Sequence, residues 1–118
     1  MEPFFTERQD RQFTVVEFQT ESLMNARDLE QIGGALYRLV DEEHRNRLLL
    51  DFSKVRYPSS QAIGIIVTLN KKLSQKPNGK LILCGVRPEL LQVLKITRLD
   101  RILSMCPTQR DAIEAGSH

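Results

Sequence analysis

Two short, unbroken apolar runs constrain this chain most: Leu48-Leu49-Leu50-Asp51-Phe52 and Lys80-Leu81-Ile82-Leu83-Cys84. A strand with one wet face alternates apolar and polar residues, whereas a run without alternation suits a strand covered on both faces, the habit of parallel sheets. Parallel neighbours need a crossover, and the stretch between the runs supplies one. From Ser60 to about Leu73 the apolar residues Ile63, Ile66, Val67 and Leu73 recur at helical spacing. The breakers Gln75-Lys76-Pro77-Asn78-Gly79 then end that helix before the second run.

The flanking segments extend the same alternation. Phe13 to Phe18 reads FTVVEF, rich in aromatic and β-branched residues that fit a strand. An amphipathic helix follows, capped by Asn25 with Asp28 three residues on. Leu29, Ile32, Leu36, Leu39 and Val40 form its inner stripe. Gly33 and Gly34 interrupt it and are expected to let the helix approach the sheet closely. Past the second run, Pro88 opens a helix carrying Leu90, Leu91, Val93 and Leu94, which fades near Thr97. Ile102 to Met105 reads as a weak last strand, and Thr108 caps a short final helix with Ala112 and Ile113 facing inward. Strands alternating with helices predict an α/β fold, a largely parallel sheet with right-handed crossovers. Residues 1–12 are polar and expected to be loose, with Phe4 and Phe5 tucked onto the sheet. The domain is read as residues 1–115, and Gly116-Ser117-His118 are set aside as a cloning remnant.

A chain of 118 residues suits one domain and can bury a core without disulfide or metal staples. Its net charge of +2 does not argue for nucleic acid. The charge is uneven: residues 1–51 hold 6 Arg/Lys against 11 Asp/Glu, and residues 52–118 hold 11 against 4. The basic residues are spread out, as on a solvated surface, rather than clustered into a nucleic-acid footprint. The N-terminal MEPFFTERQD lacks an apolar signal region, and no stretch reaches the roughly 18 apolar residues of a membrane span. The expected location is the cytoplasm, with no membrane insertion.

Few residues suggest catalysis. His44 lies in a charged loop and His118 is terminal, and neither has partners at metal-ligand spacing. No glycine-rich phosphate loop is present. Cys84 ends an apolar run, where a buried reduced thiol is usual, and neither it nor Cys106 sits in a CxxC pair. Asp51 closes a strand, a place where carboxylates serve chemistry in some α/β proteins, but the simpler role is a hydrogen bond to the next loop. An enzyme or nucleotide-binding domain of flavodoxin-like shape would use Asp51 and the loops after it. The more informative segment joins the first apolar run to its helix: Val55-Arg56-Tyr57-Pro58-Ser59-Ser60-Gln61-Ala62-Ile63-Gly64. On local grounds alone, serines there are helix caps.

From Phe13 to Ala115 the chain resembles the anti-sigma factor antagonists (anti-anti-sigma factors) of the STAS family. The resemblance rests on the strand ending in Asp51-Phe52, on Val55-x-Tyr57, and on Ser59-Ser60-Gln61-Ala62-Ile63-Gly64, where the family reads Asp-Ser-Ser/Thr-Gly-Leu-Gly. It rests also on Gly79-Lys80-Leu81, Leu83-x-Gly85-Val86, Pro88 and Leu94-x-x-Thr97-x-Leu99-Asp100. The resemblance implies a STAS-like fold: a mostly parallel sheet of about four to five strands with about four α-helices packed against it.

It also implies a binding module rather than an enzyme, with no cofactor and no metal, acting as a monomer or weak dimer without direct nucleic-acid contact. The implied partner is an anti-sigma factor of the serine-kinase type. That partner phosphorylates the serine after the family's aspartate, which maps to Ser60, and phosphorylation blocks binding. Here Ser59 stands in the aspartate position, Gln61 in the serine/threonine position and Ala62 in the first glycine position, so Ser59 is a second candidate. The expected interface comprises Arg56, Tyr57, Ser59, Ser60, Gln61 and Ile63. The alternative within the family is an unphosphorylated scaffold or subunit of a stress-sensing or lipid-transport assembly.

Overall fold

The computed structural model describes residues 4–116. A five-stranded sheet runs in chain order, with β1 (Phe5–Asp10), β2 (Phe13–Phe18), β3 (Arg47–Asp51), β4 (Lys80–Cys84) and β5 (Ser104–Cys106). The β1–β2 pair is antiparallel and every later pair is parallel. The helices are α1 (Ala26–Asp41), α2 (Ser60–Ser74), α3 (Pro88–Ile96) and α4 (Gln109–Gly116), with a single 3-10 turn at Leu99–Arg101.

The unbroken apolar runs form the central strands β3 and β4, buried on both faces. Alternate side chains divide between two cores, as a period of two requires. Leu48, Leu50, Leu81 and Leu83 join α1, α2 and α3 on one face. Leu49, Ile82 and Cys84 join Phe13, Val15 and the α4 residues Ala112 and Ile113 on the other. Each fully buried leucine contributes on the order of 1.5–3 kcal/mol.

The helices begin where the sequence places them. Asn25 accepts from the Asp28 amide at 3.0 Å, and Thr108 accepts from the Asp111 amide at 3.1 Å. Pro88 stands in the first turn of α3 and Thr97 closes it. The buried stripe of α2 is Ala62, Ile66, Leu69 and Leu73, with Ile63 and Val67 half-buried at its side.

Four expectations need correction. Residues 5–10 are not loose: they form the edge strand β1, paired along its whole length with β2. Its four central side chains are exposed and polar, so it shows no apolar pattern; backbone pairing and the ring of Phe5, edge-on to Phe18 at 6.1 Å, hold it. Charged edges also discourage pairing with other chains. Residues 1–3 lie outside the described residues.

The folded domain extends to Gly116, one residue past the boundary read from the sequence. Gly116 ends α4 buried, its carbonyl accepts from the Arg47 guanidinium, and a Cβ there would stand 2.4 Å from the Phe13 ring. Residues 117–118 lie outside the described residues. Gly33 admits α2 rather than the sheet: a Cβ there would meet the Ile65 side chain at 3.2 Å, and Gly34 faces open space. The last strand starts at Ser104, because the amides of Ile102 and Leu103 both bond the Leu99 carbonyl and stay in the preceding turn. Ile102 is 60% exposed in consequence.

Candidate functional site

The loop from β3 to α2 is held at both ends and in the middle. At its start, the Phe52 amide bonds the Cys84 carbonyl at 2.9 Å, and the Phe52 ring packs on Phe18 with centroids 4.9 Å apart. Asp51, 6% exposed, accepts from the Ser53 amide at 2.8 Å and from the Gln109 side chain at 2.6 Å. The carboxylate is thus a brace between loop and α4, which is the simple role its place in the sequence suggested. Val55 plugs into the core.

The middle of the loop is clipped to the segment leading into α1. The amides of Arg56 and Tyr57 both bond the Glu21 carbonyl, at 2.8 and 3.0 Å, and the Leu23 amide returns a bond to the Tyr57 carbonyl at 2.8 Å. These bonds leave the Tyr57 ring outside, 53% exposed. They also set Met24, 61% exposed, one residue from that clip. Met24 is the residue that sequence reasoning missed. It stands just before the Asn25 cap, in a polar stretch where a lone methionine carries no periodic signal.

The two serines play different parts. Ser59 is extended, at φ −136° and ψ 165°, and its hydroxyl accepts from the Ala62 amide at 3.1 Å. Ser60 is the first residue of α2; it is exposed, and among the described residues its hydroxyl makes no hydrogen bond. Gln61 is exposed, its side-chain amide 3.5 Å from the Ala26 carbonyl of α1. Ile63 is half-buried and packs against the core, so it contributes only an edge to the outer surface. The structure therefore brings Tyr57, Ser59, Ser60 and Gln61 together at the start of α2, beside Met24.

Two shallow concavities flank this point. A groove of about 400 Å³ runs between α1 and α2, lined by Gly33, Gly34, Tyr37, Gln61, Gly64 and Thr68. On the other side, Gln19, Glu21, Ser53, Lys54, Arg56 and Arg87 line a polar hollow of about 300 Å³. Lys54 bonds the Gln19 side chain at 2.7 Å, and Arg56 lies 3.8 Å from Glu21. Both partners of the latter pair are more than half exposed, so it is worth little. Among the described residues no group of three or more His, Cys, Asp or Glu side chains is arranged to hold a metal ion, and no helix is long and apolar enough to cross a membrane.

Comparison with known proteins places this geometry. The STAS domain family model matches residues 6–112. The chain is 27% identical over 95 residues to BtrV of Bordetella bronchiseptica, named as an anti-sigma factor antagonist, covering 80% of each. Its fold matches an anti-sigma-factor antagonist (STAS) domain protein from Planctomyces limnophilus with a TM-score of 0.83, at 24% identity over 97% of this chain and 98% of that one. It also matches the Bacillus cell fate determinant SpoIIAA in its phosphorylated form, with a TM-score of 0.73 at 18% identity over 94% and 97% of the two chains. On the match across nearly its whole length, the chain belongs to the STAS domain family.

Proposed function

We propose that this protein is an anti-sigma factor antagonist: it binds a kinase-type anti-sigma factor through the surface at the start of α2 and is released when Ser60 is phosphorylated. The observation that carries this reading is the contrast between neighbours. Ser59 is occupied as the helix cap, while the Ser60 hydroxyl is exposed, makes no hydrogen bond among the described residues, and lies three residues from the exposed Tyr57. Names of relatives support it: BtrV carries that designation, and SpoIIAA is known in a phosphorylated form.

The mechanism follows from charge and position. A phosphate on the first residue of a helix lies near unpaired backbone N–H groups and the positive end of the dipole, so the domain itself tolerates it. It adds about −1.5 to −2 charges. A partner surface fitted to a neutral hydroxyl then meets repulsion and a desolvation cost, and the complex weakens. Tyr57 supplies apolar area and a hydroxyl to anchor the unmodified complex. The partner acts as the kinase, and this chain contributes the acceptor hydroxyl rather than catalysis.

One observation favours a second reading, a scaffold that is never phosphorylated: Ser59 stands where the family has an aspartate, so the start of α2 has no carboxylate. Incubation with the kinase-type partner from the same cell and ATP, read by intact mass and peptide mapping, separates the two. A gain of one phosphate on Ser60 supports the switch. An unchanged mass while the complex still forms supports the scaffold.

A further inference from the structure

The last register row of the parallel sheet sets two thiols side by side. Cys84 of β4 pairs in register with Cys106 of β5. Registered residues of neighbouring strands project to the same face and lie about 4.8 Å apart, within the Cα separation a disulfide spans. That face is the one α4 covers: Cys84 belongs to its core, and Cys106 packs against the same cluster. Both are free thiols. β5 is an edge strand of three residues, bonded to the sheet on one side only, so it can shift to bring the sulfurs together.

The two thiols are chemically unequal. Cys84 is 1% exposed. Burial, then the Asp51 carboxylate, Cys106 and Glu17, push its thiol up from 9.0 to about 12, so it stays protonated and is a poor first nucleophile. Cys106 is partly exposed at the sheet edge, within reach of a small oxidant.

We propose that Cys84 and Cys106 form an intramolecular disulfide under a hydroperoxide, with Cys106 as the reacting thiol and Cys84 as the resolving one. The Cys106 sulfur attacks the peroxide, an S–O bond forms as the O–O bond breaks, and the thiol proton leaves with the departing oxygen as an alcohol, or as water from hydrogen peroxide. The Cys84 sulfur then attacks the Cys106 sulfenic sulfur. An S–S bond forms, the S–O bond breaks, and the hydroxyl leaves with the Cys84 proton as water. Two thiols are oxidised and one peroxide is reduced. The bond fastens β5 and the Thr108 cap of α4 to β4, at the edge where the Gly85 amide already bonds the Pro107 carbonyl at 3.1 Å.

The test is treatment of the reduced full chain with hydrogen peroxide, followed by non-reducing intact mass and tryptic mapping. The expected result is a monomer lighter by about 2 Da, one disulfide's worth of hydrogen. The peptide spanning residues 81–95 is then joined to the one spanning 102–110, and dithiothreitol reverses the link. Cys106→Ser abolishes the loss. Cys84→Ala, which keeps a small apolar side chain in the core, leaves Cys106 as a sulfenic acid that dimedone labels. Oxidation of Cys106 to sulfinic or sulfonic acid in the wild type, or cross-linked dimers without the internal link, overturns the proposal.

Discussion

Ser59 accepts from the Ala62 amide at 3.1 Å, so the first of two adjacent serines is tied to the helix, while the second is exposed and makes no side-chain hydrogen bond among the described residues. The pair therefore separates by stability measurement. Ser59→Ala leaves an orphan amide in the first turn of α2 and costs about 1 kcal/mol. Ser60→Ala changes stability by less than about 0.5 kcal/mol. Urea unfolding of the two variants checks this, and equal costs would mean that the cap is not where the structure puts it.

The buried carboxylate of Asp51 joins the β3–α2 loop to α4. Gln109→Ala removes the 2.6 Å bond and leaves one carboxylate oxygen buried without a partner, at a cost of about 1–3 kcal/mol. Asp51→Ala also frees the Ser53 amide, and so weakens partner binding as well as the fold. Thermal unfolding of both variants, with binding measured on the folded fraction, reads the two effects.

Two glycine substitutions have opposite signs. Gly85 has φ +63°, and a Cβ there would stand 2.9 Å from the Ser53 Cβ. Gly85→Ala destabilises by about 1–3 kcal/mol through backbone strain and crowding of the loop. Gly34 lies inside α1 with nothing near its Cβ position, so Gly34→Ala stabilises by about 0.5–1 kcal/mol. Chemical denaturation of each variant gives the sign directly.

Tyr57 and Met24 are large, exposed and adjacent to the start of α2. If they anchor the partner, Tyr57→Ala weakens the complex by about 2 kcal/mol, roughly thirtyfold, and Met24→Ala by about 1 kcal/mol. Neither should shift the unfolding midpoint appreciably. Titration calorimetry against the kinase-type partner, with circular dichroism melts, checks both halves.

Much of this was legible from residues alone, for identifiable reasons. Leu48–Leu50 and Leu81–Leu83 lack any polar break, and between turn residues that pattern suits a strand covered on both faces. Asn25, Ser59, Pro88 and Thr108 announce helix starts because caps are local chemistry. β1 was not legible, since its pairing is carried by backbone and its side chains are those of a loop. Gly33 was misassigned because spacing reveals a close approach without naming the neighbour. Met24 was missed because its exposure comes from a clip between Leu23 and Tyr57, distant in sequence.

The most direct test of the central claim is the affinity of wild type, Ser60→Ala and Ser60→Glu for the kinase-type anti-sigma factor of the same cell, measured by titration calorimetry alongside thermal unfolding. The account predicts that Ser60→Ala binds like wild type and that Ser60→Glu binds at least about tenfold more weakly, a loss of about 1.4 kcal/mol, with an unchanged unfolding temperature. Wild-type affinity in Ser60→Glu would contradict it.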